Sequence, residues 1–453
     1  MKKAEITAFL SMIFILLVSF TGSIIESTSI QNVKNFRHAD GERAMECLFA
    51  EYQKELLEEY EVFALDGGYE TGEYQKKLLD QRLEFYGVDN FKTSIERIKF
   101  LPDNRARPFF EQAVQYMKHK YGVDIMEREL GMVESWEKNE EILKDYQEEE
   151  EQNKESLEEL LRENEMELPV ENNPMESIEV LKKSPVLKLV MPESEAVSEK
   201  QFNLWELPSH RNCNRGYGDF PGDEGKSEIS EKLLFGEYLT EQFGSAVEGD
   251  GNVLDYELEY LIAGKASDRE NLQYVANRLI LLRFAANYSY LQMSSSKKTE
   301  AKALAVTLSS LLAVPAITEV VTQGILLSWA FGESVTDVRT LLSGGKIPFA
   351  KDESSWQLSL SGLMQLEETG NIKDGLDCKD GQKYEDYLKI LLFLEDLEKV
   401  GMRALDLIEQ NLQKIHGLTF FRVDCCITKL EVKMKCDLRR GIHYTFPLYG
   451  EYQ

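Results

Sequence analysis

The sequence has little positive charge for its length. Its 453 residues include 80 aspartates and glutamates but 52 lysines and arginines, which gives a formal net charge of −28. Nucleic acids and anionic lipid surfaces are negative themselves and repel such a chain, except near its short basic N-terminus. The composition therefore predicts no nucleic-acid partner. Hydrophobic residues make up 43% of the chain, which is typical of a folded protein.

Cysteine and histidine are also scarce, and neither follows the spacing of a metal site. Six cysteines are too few for a disulfide scaffold in a chain of this length, although an exported domain can oxidise some of them. The sequence leaves their pairing open. No CxxC or HExxH pattern occurs, so we predict no metal and no cofactor. The residues are Cys47, Cys213, Cys378, Cys425, Cys426 and Cys436, with His38, His119, His210, His416 and His443.

Three short stretches come close to known motifs without matching them. FPGDEGKS at 220–227 has Phe220 where a phosphate-binding P-loop needs glycine, and acids where the phosphate would lie. EGDGNVLDYELE at 248–259 places acids at several calcium-loop positions, but Val253 stands where the sharp turn needs glycine. SLSGL at 359–363 lacks the leading glycine of a nucleophile elbow. We predict a hairpin or loop turn at 248–259 and assign no catalytic residue.

A long hydrophobic run is present at the N-terminus. Residues Ile6 to Ile25 carry no charge, and about twenty helical residues at ~1.5 Å each span the ~30 Å hydrocarbon core of a bilayer. Lys2 and Lys3 precede the run, and positive charge tends to stay on the cytoplasmic side. The sequence thus predicts a single-pass protein of the cell membrane. Its N-terminus is cytoplasmic, its span contacts membrane lipid, and the bulk of the chain is extracytoplasmic.

A cleaved signal peptide is the alternative reading of this run. Thr21 and Ser23 provide small residues for a cut after Ser23, and the stretch from Phe9 to Phe20 has the length of a signal-peptide core. Against cleavage, apolar or aromatic residues recur at every fourth position further along, as one face of a continuing helix requires. These residues are Ala44, Leu48, Tyr52, Leu56 and Tyr60. We therefore predict a retained anchor that continues into a helical stalk.

Composition divides the chain into successive segments. Residues 1–27 form the cytoplasmic tip and anchor, and 28–125 a helical membrane-proximal region. Residues 126–168 are strongly acidic and predict a long solvated helix or helix pair, with a coiled coil as the alternative. Residues 169–228 collect prolines and glycines and predict a linker, with one short helix near ESIEVLKK. Residues 229–453 form the extracytoplasmic domain.

This last domain mixes two periodicities. VLDYELEYLIAG at 253–264 alternates apolar and acidic residues and predicts a strand. CITKLEVKMKCDL at 426–438 and IHYTFPLYGEY at 442–452 also alternate and predict a hairpin. NLQYVANRLILLRFAANYSYLQM at 271–293 has helical spacing. We predict an α+β fold, in which a transmembrane helix and stalk precede a C-terminal domain of helices packed with a small, mostly antiparallel sheet.

A second apolar stretch, 303–331, is long enough to cross a membrane. Pro315 divides it, and Glu319 and Gln323 fall in its second half, where a carboxylate in lipid costs about 2.5–3.5 kcal/mol or more. We predict two packed helices in the domain core rather than a second span.

Several stretches, taken together, carry a resemblance over nearly the whole chain. Among them are KKAEITAFLSMIFILL, FAEYQKELLEEYEVFAL, VSEKQFNLWELPSHR, DYELEYLIAGKASDRENL, WAFGESVTDVRTLLSGGKIPF and YEDYLKILLFL. They resemble an uncharacterised family of membrane-anchored proteins from clostridia-like Gram-positive bacteria. Members of that family are similar at their N-terminus to pseudopilin-like components of tight-adherence (Flp-type) pilus systems. The resemblance implies a structural or assembly protein, not an enzyme, whose partners are pilus components or further copies of the chain.

Two other function classes are open. A surface adhesin or sensor binds a host or wall ligand without a pilus partner, and an exported hydrolase needs two carboxylates that face each other in a deep pocket. The N-terminus also departs from a prepilin, because Ala4 is followed directly by Glu5 and the fifth residue counted from there is Phe9 instead of glutamate. The resemblance therefore does not extend to a prepilin processing site.

Glu26 directly follows the apolar run and is the one candidate site residue. Its simpler role is to end the membrane span by meeting water. Its second role is assembly, in which the carboxylate pairs with Lys34 or Arg37 of a neighbouring copy and fixes the register of helices packed side by side.

Overall fold

The computed structural model divides the chain into two compact units, each formed by separate stretches of sequence. Unit 1 comprises Met1–Gln112, Asn212–Lys226 and Leu412–Gln453, and unit 2 comprises Ala113–Arg211 and Ser227–Asn411. Both ends of the chain therefore contribute to unit 1, an arrangement that the successive segments predicted from the sequence do not include. The structure describes residues 2–87, 91–121, 148–165, 167–169, 173–192, 196–220, 229–249, 251–310, 317–369, 377–379, 381–438 and 441–452.

Helices make up most of the described chain. In chain order they are α1 (Lys2–Phe49), α2 (Lys54–Tyr60), α3 (Lys76–Phe85), α4 (Asp103–Tyr121), α5 (148–163), α6 (Pro174–Lys183), α7 (Val186–Val190), α8 (Ile229–Gln242), α9 (Glu257–Ala263), α10 (Asp268–Met293), α11 (Ser295–Ser310), α12 (Ile317–Leu342), α13 (Leu360–Thr369), α14 (Tyr384–Leu394) and α15 (Leu397–Lys414). The predicted α+β class is confirmed, because a small antiparallel sheet accompanies these helices.

Helix α1 is continuous over 48 residues and runs through the apolar segment without a break. The predicted extension of the same helix to Tyr60 is wrong. The chain leaves the helix after Phe49, where Tyr52 forms a bridge with Leu65 and the N–H of Gln53 donates to the carbonyl of Ala64 at 2.8 Å. These non-local hydrogen bonds replace the helical ones, and a separate short helix, α2, follows.

The sheet of unit 1 is built around one long strand. Its strands are β1 (Leu65–Asp66), β2 (Phe91–Phe100), β3 (Cys426–Asp437) and β4 (His443–Glu451). Strand β3 pairs with β2 along one edge, and with β4 and the short β1 along the other, always antiparallel. The predicted hairpin is confirmed by the pairing of β3 with β4, while residues 439–440 of its connection lie outside the described residues.

Strand β2 corrects the prediction that 28–125 is helical throughout. Its partner residues on β3 lie more than 300 positions further along the chain. A local periodicity in the sequence carries no signal for a partner so distant, since the burial of a β2 residue depends on the strand beside it. The sheet therefore combines strands from both ends of the chain.

The regular secondary structure of unit 2, over its described residues, consists of helices, and α10 and α12 pack against each other. Helix α12 is buried on nearly all sides, as expected of a core helix that is apolar around its circumference. The prediction of two packed helices for 303–331 is confirmed, because α11 packs on α12. Pro315 lies outside the described residues. The helices predicted at 271–293 and near ESIEVLKK are confirmed as α10 and α6.

The strand predicted at 253–264 is wrong, because Glu257–Ala263 form helix α9. All seven residues of α9 are buried, including both carboxylates. The carboxylate of Glu257 accepts hydrogen bonds from the N–H of Gly244 at 3.1 Å and from the side-chain amide of Asn411 at 2.6 Å. The acidic residues of this stretch therefore do not mark a solvent-facing side, which the alternating pattern had implied.

Of the acidic segment predicted at 126–168, residues 126–147 and 166 lie outside the described residues. Helix α5 occupies its described part, so a helix is present there, and the choice between a solvated helix and a coiled coil stays a prediction.

A network of buried charges connects α10 and α12 with Lys351, in the chain that follows α12. Arg283 donates to the carboxylate of Asp337 at 2.9 Å, and Lys351 Nζ lies 2.7 Å from Asp337 and 2.6 Å from Glu333. All four side chains are fully buried. Burial opposes ionisation of Asp337, but Arg283 and Lys351 outweigh it and hold the pKa of Asp337 below its usual range. The two cations and two carboxylates thus compensate one another.

Replacing Lys351 by methionine tests how far unit 2 depends on this compensation. The change keeps an apolar stem but leaves Glu333 buried without its cation, and removing one partner of a buried pair costs about 3–5 kcal/mol. We expect the free energy of unfolding, measured by urea titration with tryptophan fluorescence, to fall by this amount. Lys188→Met, at an exposed lysine of α7, is the matched control, and equal loss in both variants would contradict the prediction.

Candidate functional site

Two parts of α1 have opposite environments, and the first of them is exposed. The apolar segment of α1 has a mean hydropathy of 2.3 with none of it buried, and among the described residues it is the one helix long and apolar enough to cross a membrane. Its large apolar side chains are all at least 38% exposed. This segment is an uninterrupted series of exposed apolar side chains without a charge. Such a composition suits a helix surrounded by lipid.

The second part of α1 packs on the sheet of unit 1. Ala44 and Leu48 are fully buried in a cluster with sheet residues such as Met434 and Leu448. Gly41 lies so close to the sheet that a Cβ atom there would stand 2.7 Å from Leu448 Cδ1. A larger residue at 41 would therefore push helix and sheet apart.

The end of α1 is held from the other side of the same contact. Gly450 of β4 approaches Phe49 so closely that a Cβ atom on it would lie 2.4 Å from the ring. The hydroxyl of Tyr452 donates to the carbonyl of Phe49 at 2.6 Å, which satisfies one of the acceptors that a helix C-terminus leaves open. Helix, sheet and C-terminal residues thus form one packed body.

Between the exposed and the packed parts, basic residues of α1 lie over aromatic rings of the sheet. Lys34 Nζ lies 5.3 Å from the ring centroid of Tyr444, and the Arg37 guanidinium lies 5.4 Å from that of Phe91. These are cation–π distances, typically worth about 0.5–1 kcal/mol at exposed sites. The sequence predicts Lys34 and Arg37 as partners for Glu26 of a neighbouring copy. Their aromatic partners lie on strands that are distant in sequence, so local patterns do not predict these contacts.

Glu26 lies in α1 directly after the exposed apolar segment, and its side chain is half-buried. It is therefore placed at the boundary where the apolar surface ends. Its pairing with a neighbouring copy stays a prediction, and such pairing must compete with the cation–π contacts of Lys34 and Arg37.

A second cluster, in unit 2, brings together a serine, a histidine and an aspartate. Ser209 Oγ lies 2.8 Å from His210 Nδ1 and donates to Asp406 Oδ2 at 2.5 Å. In a catalytic triad the carboxylate orients the histidine, which in turn takes the serine proton. Here the carboxylate binds the serine directly and also accepts from the hydroxyl of Tyr260 at 2.8 Å. The geometry holds the turn at Ser209 on α15 and does not activate a nucleophile.

Arg211, two residues after Ser209, also contacts α15. Both terminal nitrogens of Arg211 donate to the carboxylate of Glu409, a bidentate arrangement that adds geometric specificity.

Burial raises the pKa of Asp406 to about 7, against the opposing hydrogen bonds from Ser209 and Tyr260. No local sequence pattern indicates the contact of Ser209 with Asp406, since the two residues are 197 positions apart.

In the stretch 248–259, which comes close to the pattern of a calcium-binding loop, the last acid is part of a hydrogen-bonded core. Glu259 lies in α9, and its carboxylate accepts from the hydroxyl of Tyr384 at 2.7 Å and the N–H of Ala246 at 3.0 Å. Burial raises the pKa of Glu259 to about 7. A carboxyl group that is protonated near neutral pH is a poor cation ligand. The predicted turn is a loop that leads into a helix, and no hairpin forms there.

The remaining candidate residues are dispersed. Within the described part of the chain, no group of three or more His, Cys, Asp or Glu side chains is arranged to hold a metal ion. The six cysteines are free thiols, with Cys425, Cys426 and Cys436 buried. Of the near P-loop, residues 221–227 lie outside the described residues. A pocket of about 730 Å³ in unit 2 has Glu150 as the one carboxylate among its described lining residues, so these residues do not supply the facing acids that the hydrolase alternative requires.

Comparison with known proteins gives one match. The family of unknown function DUF5702 matches residues 164–438, which is more than half of the chain. The matched residues include the Ser209 turn and most of the lining of the pocket, whereas α1 precedes them. No curated protein and no solved structure matches the chain.

The raised pKa of Asp406 predicts a pH-dependent stability. Between about pH 4 and 7 the unfolded chain ionises this carboxyl group while the folded chain keeps it protonated, so stability is lost as the pH rises through this window. Asp406→Asn keeps an acceptor oxygen and removes the titration. We expect the fall in unfolding free energy between pH 4.5 and 7.5, measured by urea titration, to shrink by about 2–4 kcal/mol.

The exposed carboxylate of Glu248 provides the control for this measurement. Glu248→Gln removes one carboxylate without touching α15 and should keep the pH dependence of the wild type. A wild-type pH dependence in Asp406→Asn would show that Asp406 does not titrate in this range.

Proposed function

The chain belongs to the DUF5702 family, whose function is unknown, and we propose that it is a membrane-anchored extracytoplasmic assembly protein, a pseudopilin-like component of a tight-adherence pilus. The observation that carries the proposal is the division of α1. One continuous helix leaves an uncharged apolar segment exposed and packs its other end tightly on a sheet. The resemblance of the N-terminal stretch to pseudopilin-like proteins supports the same assignment.

This division suits assembly for a physical reason. An apolar helix is stable in a bilayer, and it can also associate with neighbouring helices through close packing of their side chains. Because the far end of α1 is packed on the sheet through Gly41 and Gly450, movement or rotation of the helix in the membrane is transmitted to unit 1. A loosely tethered anchor would retain the protein at the membrane but would not fix the orientation of unit 1.

Glu26 fits this proposal as the residue at the membrane boundary. A carboxylate there sets how deeply the helix inserts, since moving it into lipid costs several kcal/mol. In an assembly of identical helices, the same carboxylate would also oppose sliding of one copy along another.

A surface adhesin is the second candidate, and one observation favours it. The side chain of Trp205 is 79% exposed, and it is presented by a short helical turn, Leu204–Glu206, that precedes the Ser209 turn. Exposed aromatic residues on rigid turns are common anchors of binding surfaces. An adhesin would use this surface for attachment without any requirement for a pilus.

Deleting the gene in the organism that carries it, with imaging of pili, tests the main proposal. We expect pilus number or length to fall, and a copy with an intact α1 to restore both. The protein should be recovered from the membrane fraction with residues 6–25 still present by mass spectrometry. Normal pili with lost surface attachment would favour the adhesin, and a soluble protein beginning at Ile24 would exclude the anchor.

Glu26→Gln tests the assembly role of the boundary residue, since it keeps size and polarity but removes the charge. Cysteines placed at Ser29 or Val33, both exposed on α1, report contacts between neighbouring copies. If Glu26 fixes register, insertion should persist while crosslinking falls about fivefold, the factor that corresponds to ~1 kcal/mol for a partly exposed ion pair. Glu46→Gln, at an exposed carboxylate of the same helix, is the matched control.

An unchanged crosslinking pattern in Glu26→Gln would remove the assembly role and leave Glu26 as the polar edge of an anchor. The parent protein without added cysteines gives the background from Cys47, which is half-buried near the end of α1.

A further inference from the structure

The pocket of unit 2 has the size and lining of a ligand site. It encloses about 730 Å³ between α6, α7 and α10, with Glu150 of α5 and Phe331 of α12 also in its lining. Sites for small molecules commonly have 300–1,000 Å³ and are mostly apolar with a few polar groups. The volume of this pocket falls in that range, and its described lining is mixed, with eight apolar and six polar residues. The pocket is independent of the proposed assembly role.

The wall formed by α10 changes character along the helix. Gln273, Asn277, Ile280, Leu281 and Phe284 all line the pocket, and their spacing of three, four, seven or eight residues places them on one side of the helix. The first two are amides and the last three are apolar. A ligand lying along this wall therefore meets hydrogen-bonding groups at one end and an apolar surface at the other.

The apolar part of the pocket is not closed by the protein itself. Leu281 is 41% exposed although it lies beside Ile280 and Phe284, whose side chains are 5% and 4% exposed. Phe331 of α12 adds an aromatic ring to the lining. Covering Leu281 with a hydrocarbon chain would remove apolar surface from water, which is favourable at roughly 25 cal/mol per Å².

The charges of the lining favour an anion. Within the described part of the lining, Lys182 and Lys183 are accompanied by one carboxylate, Glu150. Lys182 is ion-paired with Glu150 and its ammonium lies 5.2 Å from the ring centroid of Phe331, so the charge of Glu150 is compensated within the lining. Among the lining residues that the structure describes, this leaves one positive charge in excess, that of Lys183, in a chain whose net charge is −28.

Lysines in the last turn of a helix are common because they complement its dipole, and this placement alone would not indicate a ligand. What distinguishes this pair is that both lysines line a partly apolar cavity that also has the amide side chains of Gln273 and Asn277 in its lining. We propose that this pocket binds a single-chain amphiphile whose head group is anionic, a carboxylate or a phosphate. The hydrocarbon chain lies against Leu281, Phe284 and Phe331, and Lys183 contributes to binding the head group.

Photo-crosslinking of the full chain in nanodiscs tests this site. The probe is a fatty acid with a diazirine in its chain, and the labelled peptides are mapped by mass spectrometry. We expect adducts on α10 near Leu281 and on α12 near Phe331, in addition to adducts on the exposed segment of α1, which serves as an internal reference for probe dissolved in the bilayer. Adducts confined to α1 would overturn the proposal.

Two matched pairs of variants assign the contacts. Leu281→Asn should reduce pocket labelling about fivefold or more, whereas Met293→Asn, at an exposed residue of the same helix outside the pocket, should not. Lys183→Gln should weaken competition by dodecanoate about threefold, and Lys188→Gln should leave it unchanged. Labelling that is equal in Leu281→Asn and wild type would contradict the site, even where every variant folds normally.

The competitors identify the head group and its source. Dodecanoate and dodecyl phosphate should displace the probe from the pocket better than dodecyl maltoside or dodecyltrimethylammonium, and the opposite order would overturn the charge assignment. If a membrane lipid supplies the occupant, nanodiscs that contain an anionic single-chain lysophospholipid should lower pocket labelling relative to nanodiscs with a zwitterionic one. If free amphiphiles supply it, labelling should be the same in both, and either result supports the site.

Discussion

The close packing of α1 on the sheet is the contact on which unit 1 depends. Gly41 and Gly450 remove two side chains from the interface, which lets Ala44, Leu48 and Phe49 reach the sheet residues around Met434 and Leu448. The same helix exposes an apolar segment that water does not solvate well. A single rigid element thus belongs to two environments, and the packed end determines the direction in which the exposed end leaves unit 1.

Unit 2 is stabilised in a different way, by polar groups that are buried in compensated sets. Arg283, Lys351, Asp337 and Glu333 combine two positive and two negative charges. Ion sets of this kind need not stabilise a fold more than apolar residues of equal volume, but they disfavour packings in which a charge loses its partner. They therefore contribute to a specific arrangement of α10, α12 and the chain that follows, in which few alternative positions satisfy all four groups.

Asp406 and Glu259 are also buried acids, but their partners are hydroxyl and N–H groups. Each is a buried carboxyl group that accepts a hydrogen bond from a tyrosine hydroxyl. Burial then favours the protonated form, so the pKa of each lies near 7. Acids in this sequence are therefore not uniformly solvent-exposed, although the composition alone would place most of a surplus of 28 negative charges on the surface.

Features that depend on residues close together in the sequence could be predicted from the sequence alone. The apolar run of α1, the helical periodicity of α10 and the β3–β4 hairpin were all predictable, because each is set by side-chain spacing within one element and, in the hairpin, by strands adjacent in sequence. Glu26 was also predictable as the edge of the apolar run. Its neighbours Lys34 and Arg37 were identified as cations, but their aromatic partners were not.

Secondary structure and polar contacts that depend on partners far along the chain are visible only in the tertiary structure. Strand β2 forms because β3 lies beside it, and α9 is a helix whose acids are buried because Asn411 and Tyr384 supply their hydrogen bonds. The same holds for the contact of Ser209 with Asp406 and for the pocket, whose lining comes from five separate helices and the turn between two of them. Local periodicity describes how one element would face a core, whereas the burial of a polar group is set by the groups that meet it there.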